Sequence, residues 1–258
     1  MSSPVAPRTI LITGATGSIG GALAEIYAEP GITLLLQGRN SPRLAEVANR
    51  SEQRGARVTA HCVDVRDRDA LVRWLHECCT LEDIDLVIPA AGVNSNVGPE
   101  GQGESWEAIT DLIEINLLAA MAVVDAVLPS MRTRHRGQIA LFSSLAAYYG
   151  LPLTPSYSAS KAAIKAYGEA LRGWLASEGI GVTVIMPGYV ESKMCREMPG
   201  PKPFLWPADR AAKVIKRGLA RNQARISFPF PLNLGTWFLS VLPSALSERI
   251  LRLLGYGG

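Results

Sequence analysis

The feature that most constrains this 258-residue chain is a repeated alternation. Short leucine-rich or β-branched runs stand at Thr9–Thr13, Thr33–Gln37, Val58–Val63, Leu86–Ala90, Gln138–Ser143 and Val182–Met186. Apolar runs this short and continuous predict strands buried on both faces, as in a parallel sheet. Helical periodicity fills the intervals, at Gly20–Ala28, Arg43–Arg54, Asp69–Cys78, Trp106–Met131, Tyr157–Ser177 and Asp209–Arg221. Strand–helix alternation of this kind predicts an α/β fold, a doubly wound parallel sheet with helices on both faces. No repeat, low-complexity tract or linker interrupts it, so a single domain is expected over 1–258.

The unusual residues fall at one edge of that expected sheet. Gly14, Gly38-Arg39, Asp64, Ala91-Gly92, Ser143-Ser144 and Pro187-Gly188 each follow a predicted strand. In open α/β sheets, ligands bind in the crevice outside the carboxyl ends of the strands. Strand one runs into Thr13-Gly14-Ala15-Thr16-Gly17-Ser18-Ile19-Gly20 and then a helix. Glycines at such a turn let the backbone approach a pyrophosphate, and the helix N-terminus offers free amides and a positive dipole. This is the pattern of a Rossmann-like dinucleotide site. NAD sites usually carry a carboxylate after the second strand, for the ribose diol. Here the sequence is Leu36-Gln37-Gly38-Arg39-Asn40, with an arginine and no acid. A guanidinium suits a 2′-phosphate, so NADP(H) is expected over NAD(H).

Tyr157 and Lys161 lie four apart at a helix start and so share a face. A free tyrosine ionises near pH 10, and a nearby ammonium favours the phenolate. Such a pair makes a sensible acid–base unit, although the spacing alone is common. Its context is not. Tyr157-Ser158-Ala159-Ser160-Lys161-Ala162-Ala163, with Ser144 thirteen residues upstream, resembles the short-chain dehydrogenase/reductase family. So do Thr13 to Gly20, Cys62-Val63-Asp64-Val65, Ala90-Ala91-Gly92, Ile115-Asn116-Leu117, and Pro187-Gly188 followed by Ser192.

The resemblance covers residues 8 to 192 and implies a role for each matching position. Tyr157 exchanges the substrate proton, Lys161 lowers its pKa and holds the nicotinamide ribose, and Ser144 bonds the reacting oxygen. Asn116, inside the expected Trp106–Met131 helix, holds a relay water or merely kinks that helix. The cofactor is expected along Gly14, Thr16, Gly17, Ser18, Ile19, Gly20, Arg39, Asp64 and Val65. It continues past Ala91, Gly92, Tyr157, Lys161, Pro187, Gly188, Val190 and Ser192. The activity implied is hydride transfer between a carbonyl and an alcohol. Homodimers or homotetramers are implied too, and the long apolar helices favour them.

Three departures stand out. Ser18 replaces the middle glycine of the ordinary reductase turn, and glycines 14, 17 and 20 instead fit the longer epimerase and dehydratase branch. The chain is too short for that branch's larger substrate domain, and the other motifs fit the shorter branch. Ala90 replaces an asparagine, and Ser192 a threonine. An epimerase-like enzyme on a sugar and a catalytically silent dinucleotide-binding protein are the alternatives.

Residues 193–258 lie beyond the matched core. Four prolines and a glycine in 193–207 predict a substrate loop, with Met194, Met198, Phe204 and Trp206 as an apolar lid. Arg225–Phe230 reads as a last strand. In the apolar tail, Ser244 reads as an N-cap, and Leu246, Ile250, Leu253 and Leu254 as one helix face. That face is expected to pack on its own domain or a second subunit in preference to a membrane or a greasy substrate. A net charge of +3 with no basic run gives no reason to expect nucleic acid. Four cysteines without a C-x-x-C pair, and three scattered histidines, predict reduced thiols and no metal site. Met1 to Arg8 shows no leader pattern, so a cytoplasmic protein is expected.

Overall fold

Seven segments extend into strands: β1 Thr9–Thr13, β2 Thr33–Gly38, β3 Arg57–Cys62, β4 Leu86–Pro89, β5 Gly137–Phe142, β6 Ile180–Pro187 and β7 Arg225–Phe228. They form one sheet in the order β3-β2-β1-β4-β5-β6-β7, and every pairing is parallel. The computed structural model describes residues 6–98 and 100–256, so the first five residues of the expected leaderless N-terminus lie outside it. The chain winds outward from β1 to β3 and then returns to lay β4 on the other side of β1. That reversal opens a crevice at the ends of β1 and β4.

The helices are α1 Ser18–Tyr27, α2 Ser41–Glu52, α3 Arg68–Leu81, α4 Trp106–Ile113, α5 Ala119–Thr133 and α6 Pro155–Leu175. Four more follow: α7 Lys193–Glu197, α8 Ala208–Ala220, α9 Leu232–Leu239 and α10 Ser244–Leu253. Strand residues alternate between two cores. Ile10, Ile12, Leu34 and Leu36 pack with α1, α2 and α8, whereas Leu11, Leu35, Val87 and Ile139 pack with α3, α5 and α6. The central strands β1, β2 and β4 are fully buried, as their apolar runs require.

β3 departs from that expectation. It is an edge strand, its residues exposed or half-buried, and its polar composition Arg-Val-Thr-Ala-His-Cys suits a strand with one neighbour. The expected helix Trp106–Met131 is also not one α-helix. A π turn over Glu114–Leu118 separates α4 from α5. The whole Trp106–Thr133 stretch is long and apolar enough to cross a membrane by composition, but most of its apolar window is buried in the domain.

The C-terminal segment differs most from expectation. The loop after β6 contains the one-turn helix α7, capped by Ser192, whose Oγ accepts from the Cys195 amide at 2.9 Å. Trp206 stacks on Phe228 with ring centroids 5.1 Å apart, and Phe204 is exposed, so neither forms a lid. α10 begins after Pro243, and Ser244 is its first residue with no side-chain cap. The buried side of α10 is Ser247 and Leu251, which leaves Leu246, Leu253 and Leu254 exposed. The serine takes the inward place because its Oγ donates to the Leu239 carbonyl at 2.8 Å, tying α10 to α9.

Candidate active site

Gly14 ends β1 with φ of +68°, and a Cβ there would lie 2.5 Å from the Ala91 amide nitrogen. A Cβ at Gly20 would lie 2.3 Å from the Gly14 carbonyl oxygen. The turn therefore closes on backbone alone, and both positions require glycine. Gly17 caps α1 with no side-chain bond, so the first-turn amides, from Ser18 onward, face the crevice without an intrachain cap. Ser18 is itself the first residue of α1 and lines the crevice, so the turn keeps its form without the middle glycine. The backbone cradle, the uncapped helix start and the positive dipole suit a pyrophosphate.

Behind the turn stands Gln37, which the sequence reading treats only as the end of a strand. Its buried Oε1 accepts from the Gly14 amide at 3.0 Å, while its Nε2 donates to the Val63 carbonyl. It thereby ties the glycine turn to the end of β3.

Arg39 follows β2 directly and is 58% exposed. The sequence reading finds no carboxylate in its loop. The structure adds one from elsewhere: β2 and β3 pair with Gly38 opposite Cys62, and this brings Asp64 Oδ2 to 3.9 Å from Arg39 Nη1. Asp64 is more tightly engaged by Arg66, through the backbone amide at 3.0 Å and Nη2 at 2.8 Å. Arg66, first among its neighbours, holds the Asp64 carboxyl below the usual carboxylate range.

The reacting groups come from β5, α6 and the turn after β6. Ser143 Oγ, buried at the end of β5, donates to the Lys161 carbonyl at 2.7 Å and fixes α6 against the sheet. Glu104 bonds the Ser156 amide and hydroxyl, placing a carboxylate at the N-terminus of α6. Neither Ser143 nor Glu104 carries a motif that announces this positioning. Tyr157 stands in the first turn of α6 with Ser144 beside its hydroxyl, and Ser144 Oγ accepts from the Ala146 amide at 3.2 Å and donates to the Pro187 carbonyl at 3.5 Å. Burial pushes the Tyr157 phenol above its ordinary value, and the neighbouring Ser144 hydroxyl opposes it. Burial brings Lys161 down to about 8. Its Nζ donates to the Phe142 carbonyl at 3.0 Å and lies 5.6 Å from the Tyr157 ring centroid. Burial thus sets the direction for Tyr157, and the Lys161 ammonium is engaged by the Phe142 carbonyl.

Asn116 lies in the π turn, and its side chain makes three hydrogen bonds. Oδ1 accepts from the Val93 amide at 2.8 Å, and Nδ2 reaches the Val93 carbonyl at 2.9 Å and Ser160 Oγ at 3.2 Å. The side chain clamps the loop after β4 to α6 through both amide hydrogens, and one acceptor position of Oδ1 remains. Gly92 passes close by: a Cβ there would lie 3.3 Å from Asn116 Oδ1 and 3.7 Å from Lys161 Nζ.

A single cavity of about 640 Å³ joins these parts. Gly14, Thr16, Gly17, Ser18, Ile19, Gly20, Arg39, Asp64, Val65, Ala91, Gly92, Ser144, Tyr157, Pro187, Gly188, Val190 and Ser192 all line it. Asn116 and Lys161 stand behind the wall. The cavity continues past Met194 and Met198 to residues of α9 and α10 that carry no recognisable motif.

A glycine cradle for a dinucleotide, beside a serine–tyrosine hydroxyl pair on a parallel sheet, defines a dinucleotide-dependent oxidoreductase. The chain belongs to the short chain dehydrogenase family, whose model matches residues 8–201. It is 34% identical to an uncharacterized oxidoreductase of Myxococcus xanthus, over 96% of this chain and 97% of that one. It is 35% identical to a 3-dehydrosphinganine reductase of Arabidopsis thaliana, over 71% of this chain and 55% of that one. A solved short-chain dehydrogenase from Sphingobium yanoikuyae in complex with NADPH superposes with a TM-score of 0.79 at 25% identity, covering 95% of this chain and 94% of that one. A short chain dehydrogenase from Mycobacterium paratuberculosis bound to NAD shares the fold, with a TM-score of 0.77 at 22% identity over 88% of this chain and 98% of that one. The protein is an NAD(P)-dependent dehydrogenase or reductase.

Proposed function

We propose that the chain interconverts a carbonyl and an alcohol with NADP(H), using Tyr157 as the acid and base. The observation that carries this reading is the placing of Tyr157 and Ser144 side by side on the cavity wall, where the glycine cradle gives way to an apolar chamber. The dinucleotide, when bound, supplies or takes the hydride. Gly14, Gly17 and the first-turn amides of α1 would hold its pyrophosphate, and Arg39 its 2′-phosphate. Ser144 donates a hydrogen bond to the substrate oxygen and holds it beside the phenol. Tyr157 gives that oxygen a proton in reduction and removes one in oxidation. Lys161, fixed by the Phe142 carbonyl, places a positive charge behind the phenol and favours the phenolate once Tyr157 has given up its proton.

Support for NADP(H) comes from the β2 end. Arg39 and Arg43 both line the cavity there, and the nearby Asp64 carboxylate is already engaged by Arg66. Tyr157→Phe tests the chemistry. The ring still packs but the transferable proton is gone, so turnover should fall roughly 100- to 10,000-fold while dinucleotide binding changes little. Activity within a few-fold of wild type removes Tyr157 from the mechanism.

The same reading includes a homodimer or homotetramer working in the cytoplasm. Trp106, Leu118 and Trp174 stand 77%, 53% and 59% exposed on α4, the π turn and α6, which favours burial against another subunit. Four free thiols agree with a reducing compartment. A monomeric mass by light scattering at micromolar concentration overturns the oligomer.

A further inference from the structure

The cavity has two chemically different ends. Its far end, beyond Tyr157, is walled by Leu151, Met194, Met198, Leu239, Ile250 and Leu251. No aspartate, glutamate, arginine, asparagine or glutamine lines that end among the described residues. The one charged side chain there, Lys193, is 82% exposed and faces Glu197 on its own helix. The hydroxyls present are largely occupied. Tyr189 donates to Tyr256 Oη at 3.1 Å, Tyr256 donates to the Pro201 carbonyl at 2.7 Å, and Thr236 donates to the Leu232 carbonyl at 3.0 Å. A sugar or polyol would lose its water here and gain few bonds in return, a costly exchange for each hydroxyl.

The apolar wall also continues outward. Phe238 on α9 and Leu254 beyond α10 line the cavity and are 52% and 57% exposed, so the chamber opens to the surface between two apolar side chains. Gly235, on the same cavity-facing side of α9, has open space where a Cβ would stand. The wall there is a slot rather than a closed pocket.

We propose that the substrate carries an unbranched aliphatic chain on its reacting carbonyl, seated between α9 and α10 and leaving the chamber past Phe238 and Leu254. This rests on reading the Tyr157 end as the place of hydride transfer. Each methylene drawn from water into such a slot contributes about two- to fourfold in binding. The chain seats by area and length alone, so the head group beyond the carbonyl is not selected by this wall.

A homologous series of straight-chain 2-alkanones, offered with NADPH, provides the test. kcat/KM should rise about two- to fourfold per methylene and then level off as the chain reaches the mouth. Gly235→Leu adds a side chain on the slot side of α9, where a Cβ meets no atom within 4 Å, and favours the helix. It should flatten that rise, lowering kcat/KM for the longest ketones at least tenfold more than for the shortest. Binding of a dansyl-labelled alkyl chain, followed by fluorescence without turnover, should weaken in the same variant. A flat chain-length profile, or a preference for polyhydroxylated ketones, overturns the proposal while leaving carbonyl reduction standing. Tight binding of the alkyl probe with no turnover of any ketone supports the slot and counts against the reading of the Tyr157 end. Probe binding that Gly235→Leu leaves unchanged overturns the slot.

Discussion

The two ends of the cavity are built by opposite means. At the cofactor end the wall is backbone: Gly14, Gly17, Gly20 and Gly92 bring main chain to the surface, and at Gly14 and Gly20 a Cβ would come within 2.6 Å of another main-chain atom. Its polar side chains are held from several directions, as with Gln37 between Gly14 and Val63. At the far end the wall is side chain. Leu239 of α9, Leu251 of α10 and Tyr256 beyond it make a small satellite core, with much apolar surface left outside. The first end is fixed by a ligand with one geometry. The second is fixed only by apolar contact, which many sequences satisfy. One end therefore tolerates almost no change and the other tolerates a great deal.

That contrast is sharpest at Gly14. Gly14→Ala adds a Cβ at positive φ against the Ala91 amide, and should cost roughly 2–4 kcal/mol of stability. Dinucleotide affinity should fall on the order of 100-fold or more, since that loss takes only about 2.7 kcal/mol. Urea denaturation and a fluorescence titration measure the two. Wild-type stability together with wild-type affinity would show that the turn yields, and the contrast would collapse.

Arg39→Ala asks whether the rigid end also discriminates. NADPH should weaken roughly ten- to a hundredfold and NADH hardly at all, as expected for one charge-assisted bond. Equal weakening of both cofactors, or equal affinity in the wild type, removes this loop from the choice. The converse replacement belongs at Arg39 and not at Gly38, where a new Cβ would lie 2.6 Å from Thr16 Cγ2.

At the tolerant end the smallest effect is expected from Leu253→Ser. Leu253 is 80% exposed, so unfolding free energy should change by no more than about 0.5 kcal/mol. A loss above about 2 kcal/mol by denaturant titration would mean that Leu253 is covered in solution.

The same contrast explains what could be read in advance. The sheet, its direction and the glycine turn were legible because buried parallel strands and pyrophosphate turns leave strong local patterns. Tyr157 and Ser144 were legible from their spacing and surroundings. The clamp that Asn116 makes on Val93 was not legible, because the π turn that aims it there has no sequence signature. Asp64 beside Arg39 was hidden for another reason: they are 25 positions apart, and their approach depends on the β2–β3 register. Glu104 at the start of α6 reaches across 52 positions. In the tail, apolar residues surround α9 and α10 on most sides, so periodicity could not say which face turns inward. The inward serine, Ser247, was the least predictable of all.

The exposure of Arg39 has a consequence for how the enzyme meets its medium. A guanidinium that is 58% open to solvent attracts a phosphate through water and mobile ions. The Debye length shrinks from roughly 30 Å at 0.01 M salt to 3 Å at 1 M. Any discrimination that Arg39 makes between the two dinucleotides is therefore expected to be wide in dilute buffer, narrower at cellular ionic strength, and narrowest in brine.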